Sequence, residues 1–372
     1  MRLERLALSN VRNYALLDLE PQSGLNVFIG ANAQGKSNLL EAIAVLGIGK
    51  SFRSGRDADM IRDGCERGMI RGEAVRGEGR VQIGCSIVKN GNSTRKTFTR
   101  AGRNVRYAQF LGALTVVTFV PADLQLVTGT PGERRAFLNT ALAQQDAEYY
   151  RALSHYQAAL RQKSALLRAD GNPDEELLAV YDRTLAESGA IVVLARQSFV
   201  EALAREAAIA HERWSGRGER LELRYAPNVA FEAATQEAVR AALASRLREV
   251  ARTERLRRMP LAGPHRDDLL ATLDGRPLSN FGSQGQQRTA VLALKVAEYL
   301  VMRDRSGEAP LLLLDDVLSE LDEQRATAFL GGVGDYEQAY VTATQRPPRL
   351  PAQSALFIVD AAQVRREGSV AC

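Results

Sequence analysis

The sequence is poor in cysteine and aromatic residues and has no long apolar run, and each shortage removes a class of protein. Three cysteines, Cys65, Cys85 and Cys372, are an odd number without Cys-x-x-Cys spacing. They indicate neither a disulfide framework nor a zinc site, and they suit a reducing compartment. No stretch approaches 18 uncharged apolar residues, and the charged, alternating N-terminus carries no apolar leader segment, so a soluble, cytoplasmic protein without a membrane partner is expected. Aromatic residues make up 6% of the chain, and Phe52, Phe98 and Tyr107 are too scattered to form a base-stacking platform. Disorder is excluded in turn, because 45% of the 372 residues are apolar and 25% charged, enough for two or three cored domains.

Charge is unevenly placed. The whole chain carries a net charge of +5, but residues 51–106 hold 13 Lys and Arg against 6 acids. That local excess suits a polyanion such as nucleic acid, or a solvated sheet face.

Periodicity divides the chain. Leu3, Leu6 and Leu8, then Leu16, Leu17 and Leu19, then Leu25 to Ile29, read as three strands, and Leu39, Leu40, Ile43 and Leu46 give the apolar face of a helix from about Ser37 through Leu46. Residues 61–120 alternate short segments with Gly and charged turns, which predicts an antiparallel sheet. Helical spacing over 133–214, broken at Ala169 to Pro173, predicts a helical hairpin whose limbs span roughly 60 Å at most. Such an arm is too short for an extended rod, and its balanced charge suits either a packed subdomain or a partner-binding one. Strand-like and loop segments follow, then a helix near Arg288 to Arg303 and strands at Leu311 to Leu314, Ala339 to Thr342 and Ala355 to Val359. The expected division is 1–120, 121–255 and 256–372.

Gly30-Ala31-Asn32-Ala33-Gln34-Gly35-Lys36-Ser37 satisfies G-x-x-x-x-G-K-[ST] between an apolar strand and a helix. Glycines let the loop curl so that its N–H groups face phosphate oxygens, and the helix N-terminus adds a favourable dipole. Lys36 would neutralise β and γ phosphates, with Ser37 holding Mg²⁺. Far downstream, Leu311 to Leu314 runs into Asp315 and Asp316. Carboxylates at the C-terminal end of a buried strand can orient a Mg²⁺-bound water (Asp315) and act as a general base (Asp316), or simply cap the next helix.

Further segments resemble known ATPases. Ser283-Gln284-Gly285-Gln286-Gln287-Arg288, ahead of a good helix, resembles the S-x-G-Q signature of ABC and SMC ATPases, and Ser319-Glu320-Leu321-Asp322 resembles their D-loop. Read without the other motifs, Ser283 is also an ordinary helix N-cap. Four runs narrow the resemblance to the RecF family: Leu8 to Tyr14, Gly30 to Ala42, Pro131 to Leu138, and Gly263-Pro264-His265-Arg266-Asp267-Asp268-Leu269. The last is the most distinctive, although a Gly-Pro turn would also explain it.

The resemblance covers essentially the whole chain and implies an α/β fold. It would be an ABC/SMC-type ATPase head, a mixed sheet with a P-loop core and an antiparallel subdomain, carrying an inserted α-helical lobe. Implied with it are ATP and Mg²⁺ as cofactors, an ATP-dependent homodimer in which Ser283, Gly285 and Gln286 meet the partner's nucleotide, and Arg12 and Asn13 near the chain's own. The implied activity is a weak, DNA-dependent ATPase switch. It would bind single-stranded, gapped or junction DNA, release it on slow hydrolysis, help other recombination mediator proteins load recombinase at gaps, and take part in SOS induction. Departures from the pattern are Asp316 where many ABC ATPases have Glu, Val341 to Thr344 where those enzymes place a histidine, and no clear Q-loop glutamine. Val11 and Asn139 also replace the aromatic and the acid more usual in the family. A transporter ATPase subunit and a P-loop small-molecule kinase are the competing readings, whereas an SMC-like structural protein would need longer arms.

Overall fold

A computed structural model of the chain describes residues 1–77, 79–91, 93–171, 173–215, 218–317, 336–347, 350–351 and 354–367. Two compact units divide it, Met1–Asp123 with Glu298–Cys372, and Leu124–Ala297. The second unit thus takes in residues 256–297 as well as the helical stretch.

In chain order the first unit opens with β1 (Arg2–Val11), β2 (Tyr14–Leu19), β3 (Gly24–Ile29) and α1 (Lys36–Ile48). β4 (Arg67–Arg76), β5 (Gly79–Asn90), β6 (Ser93–Arg100), β7 (Arg103–Val105), α2 (Tyr107–Phe110) and β8 (Val116–Phe119) follow. The second unit holds α3 (Gln125–Thr128), α4 (Pro131–Gln145), α5 (Ala147–Arg168), α6 (Glu175–Ser215), β9 (Leu221–Ala226) and α7 (Gln236–Arg257). It continues with β10 (Asp268–Leu273), β11 (Arg276–Pro277) and α8 (Leu278–Phe281); α9 (Gln284–Ser306) begins in it and passes at Glu298 into the first unit, which goes on to β12 (Leu311–Leu314), β13 (Gln338–Ala343), β14 (Ala355–Asp360) and β15 (Gln363–Arg366).

Two sheets build the first unit. One is antiparallel in the order β2-β1-β4-β5-β6-β7; the other runs β15-β14-β3-β13-β12-β8 and is parallel apart from β15. The parity of Leu3 against Leu6 and Leu8 would put them on opposite faces of a regular strand. A register shift between Leu3 and Arg5 turns all three into the core, where none exceeds 1% exposure. Beyond its first turn helix α1 is apolar on every side apart from Glu41, and those residues are buried against strands of both sheets. Residues 116–119 do not continue the antiparallel sheet but pair in parallel with β12, Val116 opposite Leu311, because their apolar run is buried on both faces as a parallel strand requires.

The second unit packs α5 on α6 and α6 on α7, with a three-stranded antiparallel sheet β11-β10-β9. The expected two-limbed hairpin is therefore three helices over 131–215, joined by α7, a helix in a region read as strand and loop. Helix starts carry the chemistry that sequence rules require. Thr130 and Glu133 form a reciprocal capping box around Pro131 in the first turn of α4, and Asp146 accepts from the N–H groups of Glu148 and Tyr149. Each such cap stabilises its helix by about 1 kcal/mol.

Candidate functional site: a phosphate loop and an acidic strand end

The loop between β3 and α1 is shaped by two close approaches. Gly35 sits at φ +117°, and a Cβ there would lie 2.7 Å from the Asn13 amide nitrogen, so only glycine fits. Gly30 passes beside β14, where a Cβ would meet the Val359 carbonyl oxygen at 2.2 Å. Ala31, Asn32 and Ala33 form the exposed crest, with Ala33 also at positive φ. Gln34 anchors the crest to the β14–β15 turn, its carbonyl accepting from Ala362 N–H (3.1 Å) and its side-chain oxygen from Ala361 N–H (2.6 Å). Tyr14 donates its hydroxyl to the Gly35 carbonyl at 3.1 Å.

Lys36 bends back over the loop and donates to the carbonyls of Gly30 (2.6 Å) and Ala31 (2.8 Å). Burial lowers its pKa, opposed by Asp316 and then Asp315, so these two carboxylates face the ammonium. Next to it, the Ser37 hydroxyl donates to Asp315 Oδ1 at 2.7 Å, bringing together residues 278 positions apart. Asp315 is buried because it ends β12, its N–H held by the Phe119 carbonyl of β8. Asp316 is exposed, with φ +57°. Between the two acids stands Thr342 of β13, 2% exposed. Its hydroxyl donates to Asp315 Oδ1 (2.9 Å) and accepts from the Asp316 N–H (2.8 Å). The strand that lacks the expected histidine thus supplies a hydroxyl that fixes both acids. A hydroxyl and a carboxylate oxygen in contact beside a lysine are hard oxygen donors of the kind that hold Mg²⁺ next to a phosphate.

Asn13 and Arg12 reach the loop differently. Asn13 donates to the Gln34 carbonyl (3.1 Å) and accepts from Asn38, which in turn accepts from Arg53. Arg12 instead forks onto Glu41 at 2.8 and 2.6 Å. Glu41 is fully buried in α1 and is satisfied by that fork and by the Ser51 hydroxyl. Thr342, Glu41 and Tyr14 carried no role in the sequence reading. A polar residue near the end of an apolar strand and an acid inside an otherwise apolar stretch of helix were the available signals, since both need partners.

In the second unit, Ser283 is exposed at the start of α9. Its Oγ accepts from Gln286 N–H (3.3 Å), and its own N–H is held by Gln286 Oε1 (2.7 Å). Gly285 has open space where a side chain would stand, and Gln286 also donates to Glu219. The D-loop residues 319–322 lie outside the described residues.

The run from Gly263 to Leu269 has a buried counterpart. Asp267, 1% exposed, accepts from Arg196 (3.3 Å), from the Asn228 N–H (2.7 Å) and from the Tyr225 hydroxyl. Arg196, 2% exposed, also donates to the Pro264 carbonyl and to Asn139, which accepts the Tyr149 hydroxyl as well. Asn139 therefore needs no charge to serve the network. Asp268 takes a bidentate fork from Arg134, and His265 Nδ1 meets the Tyr156 hydroxyl at 2.5 Å. The run is an anchored turn tying α4, α5 and α6 to β9 and β10.

A glycine-rich loop leading into α1, an acidic strand end beside it in a mostly parallel sheet, and a flanking antiparallel sheet define the ABC/SMC-type ATPase head fold. Comparisons agree. A family model described as the RecF/RecN/SMC N terminal domain matches residues 2–348. A DNA replication and repair protein RecF of Symbiobacterium thermophilum is 41% identical over 371 residues, 98% of each chain, and that of Acaryochloris marina is 39% identical, over 92% of this chain and 93% of its own. The chain belongs to the RecF family. A solved structure of a recombination mediator protein RecF with ATP, described within the RecFOR pathway, matches with a TM-score of 0.90 at 30% identity over 98% of this chain and 97% of that one. An Smc head bound to the C-winged helix domain of ScpA matches at 0.55 and 16% identity over 98% and 97%, which bears on the fold alone.

Proposed function

We propose that this chain is an ATP-operated DNA repair switch. ATP with Mg²⁺ binds at Gly30 to Ser37 and Asp315, two nucleotide-bound copies join, and the dimer holds DNA until slow hydrolysis releases it. The observation that carries the nucleotide reading is the Ser37–Asp315 hydrogen bond at 2.7 Å beside the Lys36 loop. The relative solved with ATP supports it.

Each residue has a task. Phosphate oxygens entering the loop compete for the Lys36 ammonium now held by the carbonyls of Gly30 and Ala31. Backbone N–H groups of the crest and the start of α1 complete the cradle. Bound Mg²⁺ would supply charge neutralisation of the phosphates, with Ser37 and Asp315 as its protein ligands. Asp316, exposed and fixed through its N–H by Thr342, stands to take a proton from a water. Its reach is one methylene shorter than glutamate's, which suits slow turnover. The Ser283 hydroxyl accepts from within its own helix start, leaving its proton for a γ-phosphate held by a second copy.

DNA binding rests on the charge of residues 51–106, doubled in a dimer. Within the reading fall gapped, single-stranded or junction DNA, loading of recombinase with other mediator proteins, and a part in SOS induction, all in the cytoplasm. Titration with a fluorescent ATP analogue tests the nucleotide step. Lys36→Met is expected to abolish binding, and retention of wild-type affinity contradicts it.

A further inference from the structure

The outward face of the antiparallel sheet in the first unit is hollowed into a trough of about 800 Å³. Strand pairing sets its floor in rows. Arg67, Val88 and Arg95 stand abreast, then Met69, Ser86 and Thr97, then Arg71, Gly84 and Thr99. Gly84 contributes no side chain, so the third row is lowest between an arginine and a hydroxyl. Four cations, Arg67, Arg71, Lys89 and Arg95, line the trough against one acid, Glu73, and no aromatic ring is among its lining residues.

The basic residues of the segment divide by what they touch. Arg76, Arg80 and Lys96 are spent on Glu308, Glu4 and Asp57. Arg71, Lys89 and Arg95 form no ion pair among the described residues, and Arg67 is steadied by the Ser86 hydroxyl at 3.2 Å. Loose cations over a floor of hydroxyl donors, with nothing to stack on, favour phosphate oxygens over bases. Two strand spacings give a width of roughly 10 Å, and four residues along β4 separate Arg67 from Arg71 by roughly 13 Å. One strand of a duplex carries a charge every 3.4 Å or so along the axis, but because the strand winds round that axis its successive phosphates lie roughly 7 Å apart, and about two intervals between them fit that distance.

We propose that this trough seats one sugar-phosphate backbone of duplex DNA, without sequence preference. The inference rests on the DNA-binding reading above and adds to it the face, the side chains and the form of DNA.

The test uses the full chain with ATP and Mg²⁺ and follows fluorescence anisotropy of a labelled duplex across a salt series. Arg71→Glu with Arg95→Glu is compared with Arg161→Glu plus Arg205→Glu, the same charge change on exposed positions of the helical unit. Loss of two phosphate contacts lowers the slope of log affinity against log salt by about 2 and weakens binding about tenfold or more near 0.1 M salt. ATP affinity stays unchanged in both variants, and the helical control stays within about twofold of wild type. If the glutamates disturb folding by thermal melt, Arg71→Gln with Arg95→Gln carries the same expected slope change. A trough variant that binds duplex as the control does overturns the assignment while leaving ATP-dependent DNA binding intact. Tighter binding of a single strand of equal length, abolished by the same variant, overturns the choice of duplex. A wild-type protein that binds no DNA with ATP overturns the broader reading and this one together.

Discussion

Replacing Thr342 with valine keeps the shape of a fully packed side chain and removes one hydroxyl. Two bonds go with it, the donation to Asp315 Oδ1 at 2.9 Å and the acceptance from Asp316 N–H at 2.8 Å. A hydrogen bond to a charged acceptor contributes about 1.5–3 kcal/mol, and an orphaned N–H costs about 1–3 kcal/mol where water cannot reach it. Asp316 is exposed, so its N–H recovers part of that from water. The sum expected for Thr342→Val is about 2–3 kcal/mol. At roughly 2–4 °C per kcal/mol for a unit of this size, the melting temperature falls by roughly 5–10 °C. Thr342→Ser keeps the hydroxyl and loses a methyl, for which about 1 kcal/mol is expected. The functional effect should separate from the structural one. With Asp315 held only by Ser37, the gain in ATP affinity on adding Mg²⁺ shrinks in the valine variant and survives in the serine variant. Calorimetric melts and ATP titrations with and without Mg²⁺ read both quantities. Valine and serine variants with matching melts and matching Mg²⁺ dependence would refute the idea that the hydroxyl positions the acids.

Two further predictions concern the helical unit. Arg196→Met leaves the Asp267 carboxylate buried without its cation, and removal of one partner of a buried pair costs about 3–5 kcal/mol; denaturant unfolding should show that loss, and a change under about 1 kcal/mol contradicts the network's role. His265 has its pKa pushed down to about 4, first by burial, with Arg266, Arg135 and Lys163 adding to the effect against the Pro260 carbonyl. The folded ring therefore stays neutral where the unfolded chain already binds a proton. Stability is complete above about pH 6.5 and falls as pH drops towards 4, by up to about 3 kcal/mol. His265→Gln should flatten that fall in melts taken across the range, and an unchanged profile assigns the acid sensitivity elsewhere.

Much of the candidate site was legible because its determinants are local. The Gly30 to Ser37 spacing and the Leu311 to Asp316 run each declare themselves within eight residues, and the strand-loop-helix context is in the neighbouring pattern. Less local features escaped. Leu3, Leu6 and Leu8 share a face only through a bulge that no alternation reveals. Val116 to Phe119 look like one more strand of the preceding sheet, and only their pairing with β12, almost 200 residues later, assigns them to the P-loop sheet. Helix α7 buries Val239, Leu243, Leu247 and Val250 in a stretch otherwise crowded with charge, which masked its period. Arg196 and Asp267 are 71 residues apart, and their buried bond belongs to tertiary structure alone. Thr342 gives no signal of its particular partners for a related reason, since its bonds join residues 26 and 27 positions apart.

Sedimentation of the wild type, Lys36→Met and Ser283→Arg, each with and without ATP and Mg²⁺, tests the central claim most directly. ATP should convert the wild type alone to a dimer. Ser283→Arg should bind ATP as a monomer with unchanged affinity, because the proposed role of this serine is toward the γ-phosphate of a second copy and not toward the nucleotide of its own chain. A Ser283→Arg protein that dimerises normally with ATP would contradict the proposal that nucleotide joins two copies through this serine.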